Sequence, residues 1–427
     1  MSTKQIKQHF YLPYAVFAII IGTLISRFGT SMILPYMTVL LVQIKHLPIY
    51  WAGVAIGASY LAQAFWISLS GKQLQNIQPF NRIKIAIFAY AFMFILMGLL
   101  SKFVNNIYIV GGGFIVCFFL IGICRSMIET TGQSFISCAT STAQKHFAFS
   151  LRYTFINIGT TVGPIFAMLL GILNTNWIFF VGSLSLLLYA ILLQFTLTGE
   201  EETIFKDKSK HTNFFGVVTL LFSDKKLLYF IIAAILCFIG FSQMEVLFAY
   251  ITFHYTANVH VFVVMYAING ISVVFLQMPL VHYVKKFNIH TVILFGILLL
   301  ACGLISIAIS TTHVMGYYFG AIIFTLGEIF TLSLLGLYID QLATAEHRYI
   351  YFGISNYMLI GKIVGAPLSA LFCYYFGVNI GLLIIAILTL FAAPMIWLAK
   401  NTPALEFSEL TQVNINNDND KNLQIIR

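Results

Sequence analysis

Charge is what this chain has least of. Asp, Glu, Lys and Arg make up 9% of its 427 residues, and 60% are apolar. A soluble domain carries about 25% charged residues. So few charges cannot cover a water-facing surface of this size, which excludes an ordinary cytosolic enzyme, a nucleic-acid reader and a secreted disulfide scaffold. The net charge of +9 does not restore a nucleic-acid reading, because the charges sit in short gaps between long apolar runs. Cysteine pairs are missing as well. Cys117, Cys124, Cys138, Cys237, Cys302 and Cys373 lie within or at the ends of apolar runs and form no C-x-x-C, so they read as small core hydrophobes. No metal-spaced histidine cluster and no Ser/His/Asp grouping occurs, which argues against a membrane-embedded enzyme and leaves no candidate metal ligands. None of the ten histidines falls at mid-run, so a histidine relay is not expected. A G-x-x-x-x-G-K-[ST] loop is absent, which argues against a built-in ATPase, and Gly111-Gly-Gly113 lacks that lysine and reads as packing. The first apolar run follows a short polar head, Ser2 to His9, and is too long for a signal-peptide core, so no cleavable leader is expected.

What the chain has in abundance is long apolar runs. A membrane helix needs about 20 mostly apolar residues. Twelve runs qualify: 13–42, 50–70, 83–101, 107–138, 149–173, 177–198, 227–252, 261–284, 289–310, 314–340, 350–374 and 378–399. One polar stretch, 199–226, falls after the sixth. The expected organisation is an all-α membrane protein of twelve transmembrane helices: an N-terminal six-helix bundle (1–198), a cytoplasmic linker (199–226), a C-terminal six-helix bundle (227–399) and a flexible tail (400–427). Within the linker, Phe214 to Phe222 reads as a helix lying on the inner leaflet between Lys210 and Lys225. Eighteen of the 23 lysines and arginines, Arg152 among them, fall on one side of the alternating gaps, two (Lys45 and Lys102) on the other, and three (Arg27, Arg125 and Lys362) inside runs. The positive-inside rule then puts both termini in the cytoplasm.

A charge at mid-bilayer costs about 2.5–3.5 kcal/mol on insertion scales, so it normally faces protein or a water-filled cavity. The candidates for substrate contact or proton coupling are Arg27 in run 1, Arg125 and Glu129 in run 4, Glu245 in run 7, Glu328 in run 10 and Lys362 in run 11. Runs 3, 6, 9 and 12 carry none at depth. The groups recur mainly on runs 1, 4, 7 and 10, a period of three helices, and these four helices are expected to line a polar space. Arg125 and Glu129, four apart, can pair on one helix face. Glu245, near the outer end of its run, reads equally as a solvated rim residue, and Lys362 can pair with an acid across a helix interface. Glu328 has no basic neighbour on its own helix and is the leading proton carrier. Desolvation favours the neutral carboxyl and a nearby cation the charged one, so an acid alternating between the two loads and unloads a proton.

Run 5 contains Asn157, Gly159, Gly163 and Pro164, and run 11 contains Gly361, Gly365 and Pro367. The glycine pairs are offset by 202 residues (Gly159 to Gly361, Gly163 to Gly365). This small-x-x-x-small face, repeated in two halves, is an internal repeat, and interrupted helices at such a repeat are what rocking transporters use.

These features resemble the major facilitator superfamily over nearly the whole chain. The stretch Asn157 to Gly171 is similar to that superfamily's antiporter motif, typical of drug:proton antiporters. Arg27 to Pro35 resembles the first helix of bacterial members, and Gly122 to Glu129 a stretch of multidrug-exporter-like members, with Thr130 where those usually have proline. Between runs 2 and 3, Gly71, Arg82 and Lys84 match the cytoplasmic signature, but Gln75 stands where its Asp is expected. The resemblance implies two six-helix bundles in a pseudo-twofold arrangement, alternating access to one small-molecule site near mid-membrane, no cofactor, and a proton gradient as the energy source. A monomer in the cytoplasmic (inner) membrane is expected, with no nucleic acid or nucleotide partner. Two substrate classes stay open. One is small amphipathic drugs or metabolites moved outward. The other is a defined anionic or polar solute, such as a carboxylate metabolite or siderophore, because arginine is suited to gripping carboxylates.

Overall fold

The apolar runs are helices in the computed structural model, which describes residues 12–73, 79–172, 175–196, 221–284, 286–342, 351 and 354–403. Among the described residues, six helices precede the stretch 197–220: α1 (Tyr14–Val39, continued by a π-turn Leu40–Ile44), α2 (Tyr50–Gln73), α3 (Pro79–Phe103), α4 (Ile107–Ala139), α5 (Thr142–Leu169) and α6 (Trp177–Thr196). After it come α7 (Lys225–Phe241), α8 (Gln243–Thr256), α9 (Val259–Val284), α10 (Ile289–Ile309), α11 (Val314–Leu342), α12 (Ile360–Phe376, entered by a 3-10 turn Asn356–Leu359), α13 (Val378–Leu390) and α14 (Ala392–Asn401). The pairs α7/α8 and α13/α14 each form one interrupted rod.

Ten of these rods are long and apolar enough to cross a membrane, among the described residues. The other two expected crossings coincide with α2 and α5, which are 24 and 28 residues long and carry for example the buried Gln63 and Arg152. The helix starts follow ordinary capping chemistry, in which a side-chain oxygen takes up a free backbone N–H. Asn106 accepts from Tyr108 and Ile109, Asp224 from Leu227 and Asn288 from His290. Ser141 and Gln144 cap each other reciprocally. That capping box starts α5 at Thr142, seven residues before the apolar run suggested, and draws Arg152 into the helix body. The proposed interfacial helix and linker lie mostly outside the described residues, as do Gln75 and the tail beyond 403.

Side chains such as Phe88, Phe92, Leu188, Phe195, Phe275, Phe295, Phe319 and Ile387 stand exposed on the outer surface. A belt of this kind belongs in hydrocarbon rather than water.

The two halves repeat one packing plan. In the first, α1 packs on α5 and α6, α4 on α2 and α3, and α3 on α6; in the second, α7 packs on α12 and α14, α11 on α9 and α10, and α10 on α13. The glycine pairs explain the closest of these contacts. A Cβ on Gly159 would stand 2.5 Å from the Leu24 carbonyl oxygen of α1, and one on Gly361 would stand 2.2 Å from the Ile235 carbonyl oxygen of α7. Backbone cannot yield to such an approach, so only glycine fits.

Between the halves, α2 lies against α12 and α5 against α9. A Cβ on Gly57 would stand 2.8 Å from the Ile363 carbonyl oxygen, and one on Gly270 would run into the Thr161 hydroxyl. Thr161 and Ile363 are again 202 residues apart, so the interface obeys the same repeat. One apolar core runs through the N-terminal half and the ends of the C-terminal helices remote from the chain termini, including Val246, Phe262, Phe324 and Ala370. A separate core, with Phe230, Ile297, Tyr338 and Ile396, fills the other end of the C-terminal half. The halves are therefore fused at one end of the molecule and keep separate cores at the other.

Candidate functional site

Arg27 projects from the middle of α1, where Gly159 lets α5 approach so closely that its missing Cβ would stand 3.1 Å from the Arg27 Cβ. Its guanidinium Nη2 donates to Glu129 Oε1 on α4 in an ion pair. Arg125, one turn earlier on α4, has Nε 3.6 Å from the same oxygen. The same-helix pairing anticipated for Arg125 and Glu129 is present, but the direct hydrogen bond comes from Arg27, 102 residues away in sequence. These three line a cavity with Thr23, Ser26, Thr30, Tyr90 and Arg152, whose empty space, counted out to its open mouth, is ≈ 400 Å³. Thr30 and Tyr90 close one wall through a 3.0 Å hydroxyl–hydroxyl bond.

Arg152 corrects the sequence reading, which counted it with the loop charges. It lies on α5 at 8% exposure, within Coulombic reach of Glu129 and Arg27. The signal for it was available: Arg152, Gly159 and Gly163 are spaced by seven and four residues, which puts them on one helix face.

A second cluster joins the halves. The Tyr60 hydroxyl on α2, itself 3% exposed, is 2.7 Å and 2.6 Å from the two carboxylate oxygens of Glu245 on α8 and donates to them. Lys362 Nζ on α12 donates to Glu245 Oε1 and to the Tyr60 oxygen, each at 3.1 Å. The rings of Tyr60 and Phe241 lie 4.7 Å from Nζ and give the ammonium further cation–π stabilisation. The pairing expected of Lys362 is thus found. The rim position considered for Glu245 is not, since its side chain is 13% exposed. The rod runs on to Thr256, past the end of the apolar run, and Tyr60 and Lys362 cover the carboxylate. The seventh rod is also broken within its length. Ser242 donates to the Ile239 carbonyl at 2.7 Å and Gln243 to the same oxygen at 2.8 Å. These local side-chain bonds compete with the helix ladder and restart it at Gln243, so that Glu245 lies in the first turn of α8, where the helix dipole favours a carboxylate.

Tyr60 also links the clusters. The Arg125 guanidinium lies 5.8 Å from its ring, so charge contacts run from Arg27 through Glu129, Arg125 and Tyr60 to Glu245 and Lys362. Tyr60 was not anticipated, although Gly53, Gly57 and Tyr60 share one face of α2 by spacing. Glu328 makes no direct contact with either cluster, although it is within Coulombic reach of Lys362. It accepts a 2.6 Å bond from the Asn269 amide, which also donates to Thr325 at 3.1 Å, and among the described residues it forms no ion pair. The polar residues at depth thus come from α2, α5 and α12 as well as from the helices of the three-helix period.

Of the remaining candidates, Asn157 bonds the Tyr153 carbonyl on its own helix at 3.0 Å. Pro164 and Pro367 lie inside α5 and α12. Gly365 faces the Ser242 hydroxyl at the break in the seventh rod, and Gly163 faces Ser31 on α1. Gly71 is in the last turn of α2. Arg82 and Lys84 are in the first turns of α3, where Lys84 donates to Gln194 of α6 at 2.9 Å.

Known proteins bear the same stamp. The chain is 25% identical over 400 residues, 91% of its length and 94% of the relative's, to the uncharacterized MFS-type transporter YqjV of Bacillus subtilis. It is 25% identical over 291 residues, 61% of its length and 68% of the relative's, to a Na(+), Li(+), K(+)/H(+) antiporter of Planococcus maritimus. Its fold matches the crystal structure of the nucleoside transporter NupG with a TM-score of 0.75 at 11% identity, covering 91% of this chain and 100% of that one. The sequence profile described as Major Facilitator Superfamily matches residues 19–361. With an all-helical, multi-pass architecture, a repeated helix plan and a polar cavity between the helices of its N-terminal half, the chain belongs to the Major Facilitator Superfamily of membrane transporters.

Proposed function

We propose that the chain is a proton-coupled secondary transporter working by alternating access, of the drug:proton antiporter type, which exports small amphipathic molecules. Twelve crossings with both termini in the cytoplasm complete this reading, as does action as a monomer in the cytoplasmic membrane. The halves are fused at the end remote from the termini, so on this topology the conformation is open inward.

The observation that carries the reading is the Tyr60–Glu245–Lys362 cluster. A charged Glu245 holds residues of both halves together through two hydroxyl contacts and one ammonium contact. A proton on that carboxylate removes its ion pair with Lys362 and loosens the closed end, so proton binding and rocking become one event. Glu328, with an amide rather than a cation as its partner, is the second carboxylate available to carry a proton between the two sides. The antiporter of Planococcus maritimus, one of the relatives, supports coupling of this kind by its name.

The test is flux in liposomes under an imposed pH gradient, with amphipathic dyes, anionic and cationic, screened against carboxylate solutes. Dye accumulation that is lost in Glu328→Gln is expected, with exchange at equal pH retained. Accumulation that is indifferent to the gradient would overturn the coupling. A second reading, transport of a defined anionic or polar solute such as a carboxylate metabolite or siderophore, is favoured by the guanidinium groups around the cavity. Carboxylate flux lost in Arg27→Ala, without dye movement, would establish it instead.

A further inference from the structure

The two clusters differ in their charge balance, and the imbalance indicates a ligand. Around Glu245 one carboxylate meets one ammonium. Around the cavity, three guanidinium groups (Arg27, Arg125 and Arg152) face one carboxylate, Glu129; Arg27 and Arg125 share that carboxylate, so the cavity carries a surplus of two positive charges. Removing a charge from water is costly unless an opposite charge or hydrogen bonds replace the lost hydration. Neither is complete here. The Nε of Arg152 and the Nε of Arg125 are both buried with no hydrogen-bond partner among the described residues. Arg152 is itself more than nine-tenths buried, so it cannot discharge its need into bulk solvent by turning outward.

We propose that this cavity is a subsite for a dianionic head group, a phosphate monoester or a dicarboxylate. The apolar body of the transported molecule would extend towards the mouth. The charge arithmetic selects the class. A phosphate monoester carries about −1.5 to −2 near neutral pH, which matches the surplus, whereas a single carboxylate leaves one guanidinium unpaired. Guanidinium also supplies planar, charge-assisted donors of the geometry that carboxylate and phosphate oxygens accept. The Ser26 hydroxyl in the same lining can donate to a remaining oxygen, whereas the Thr23 hydroxyl already donates to the Ile19 carbonyl. Glu129 then acts as a placeholder: it keeps Arg27 and Arg125 aimed into the cavity when the cavity is empty. The assignment rests on the transporter reading and narrows it, so that the exported amphipathic molecule is an amphipathic anion.

Equilibrium binding without any gradient tests the subsite separately from coupling. The full chain is placed in nanodiscs of phosphatidylcholine and titrated calorimetrically with 1-naphthyl phosphate, naphthalene-2,3-dicarboxylate, 1-naphthoate and 1-naphthylmethylammonium. One or both dianions are expected to bind about tenfold or more tightly than naphthoate, with the ammonium not binding, and the tighter of the two names the head group. Arg152→Gln is expected to weaken the dianions by about tenfold or more, to the level of naphthoate. Arg152→Lys, which keeps the charge, is expected to retain the preference for dianions. In the empty protein, Arg152→Gln should leave the melting temperature unchanged or raise it, because it removes a buried charge whose Nε has no hydrogen-bond partner among the described residues. Binding of the ammonium or the monoanion as tight as that of the dianions would overturn the subsite. So would dianion affinity unchanged in Arg152→Gln, or a lowered melting temperature with unchanged affinity, which would make Arg152 structural. Dianion binding with no proton-driven flux would keep the subsite and sink the coupling; flux without a dianion preference would do the reverse.

Discussion

The cavity cluster and the interface cluster are built from the same kinds of side chain, yet they serve opposite ends. The interface trio Tyr60, Glu245 and Lys362 draws on both halves, is charge-balanced, and every member contacts the other two. The cavity group belongs to the N-terminal half alone, is cation-rich, and leaves two buried guanidinium donors open. A balanced buried network holds a conformation; an unbalanced one waits for a partner. The comparison teaches that the presence of charge at membrane depth says little about role, and that the local sum of charges and satisfied donors says much more.

The sharpest way to break the comparison is Lys362→Met. It leaves Glu245 buried without its cation, and removing one member of a buried pair costs about 3–5 kcal/mol. A large drop in thermal stability of the purified protein and loss of transport are expected. Arg152→Gln in the other cluster is expected to leave stability intact. If both variants destabilise equally, the distinction between a holding network and a waiting one fails.

Next in size are Gly159→Ala and Gly361→Ala. Each puts a methyl group against a carbonyl oxygen of the neighbouring helix, at 2.5 Å and 2.2 Å, and overpacking of this kind costs about 1–3 kcal/mol. Because Gly159 seats the helix that bears Arg152 against the one that bears Arg27, and Gly361 adjoins Lys362, both should lower the melting temperature by comparable amounts. A large effect in one half alone would break the equivalence of the repeats.

Tyr60→Phe keeps the ring near Arg125 and Lys362 but removes the hydroxyl between the halves. Leaving a buried charged partner short of a hydrogen bond costs about 1–3 kcal/mol. The closed end should open more often, read as faster hydrogen exchange in α8 with the rest of the chain unchanged. The smallest effect is expected of Gly112→Ala on α4, where a Cβ would meet nothing within 4 Å and the helix gains up to about 1 kcal/mol in propensity. Melting temperature and transport should hold or improve slightly, which marks the size of effect a glycine has where no helix approaches it.

Several parts of this were legible in the primary structure because they depend on spacing along one helix. Gly159 and Gly163 announce a close helix contact wherever they occur, and their repetition at Gly361 and Gly365 announces a second half built like the first. Arg27, Glu129 and Glu328 stand out because charge is improbable in an apolar run. Arg152 was misplaced because a run of hydropathy does not show where a capped helix begins, and Ser141 and Gln144 extend α5 backwards. Glu245 was read as near the rim because its apolar run ends at 252, whereas the helix continues to Thr256 and Tyr60 and Lys362 cover the carboxylate.

The amino-acid order alone decided that this chain dissolves in lipid, that it consists of two related halves, and that certain ionisable groups lie at depth. Hydropathy and helical period are local properties, summed over about 20 neighbouring residues. Which acid meets which base was decided by tertiary structure. Arg27 finds Glu129 across 102 residues, and Lys362 finds Tyr60 across 302. Such meetings depend on how helices rotate and cross once glycines admit close approach, and nothing in the spacing along a single helix encodes that geometry.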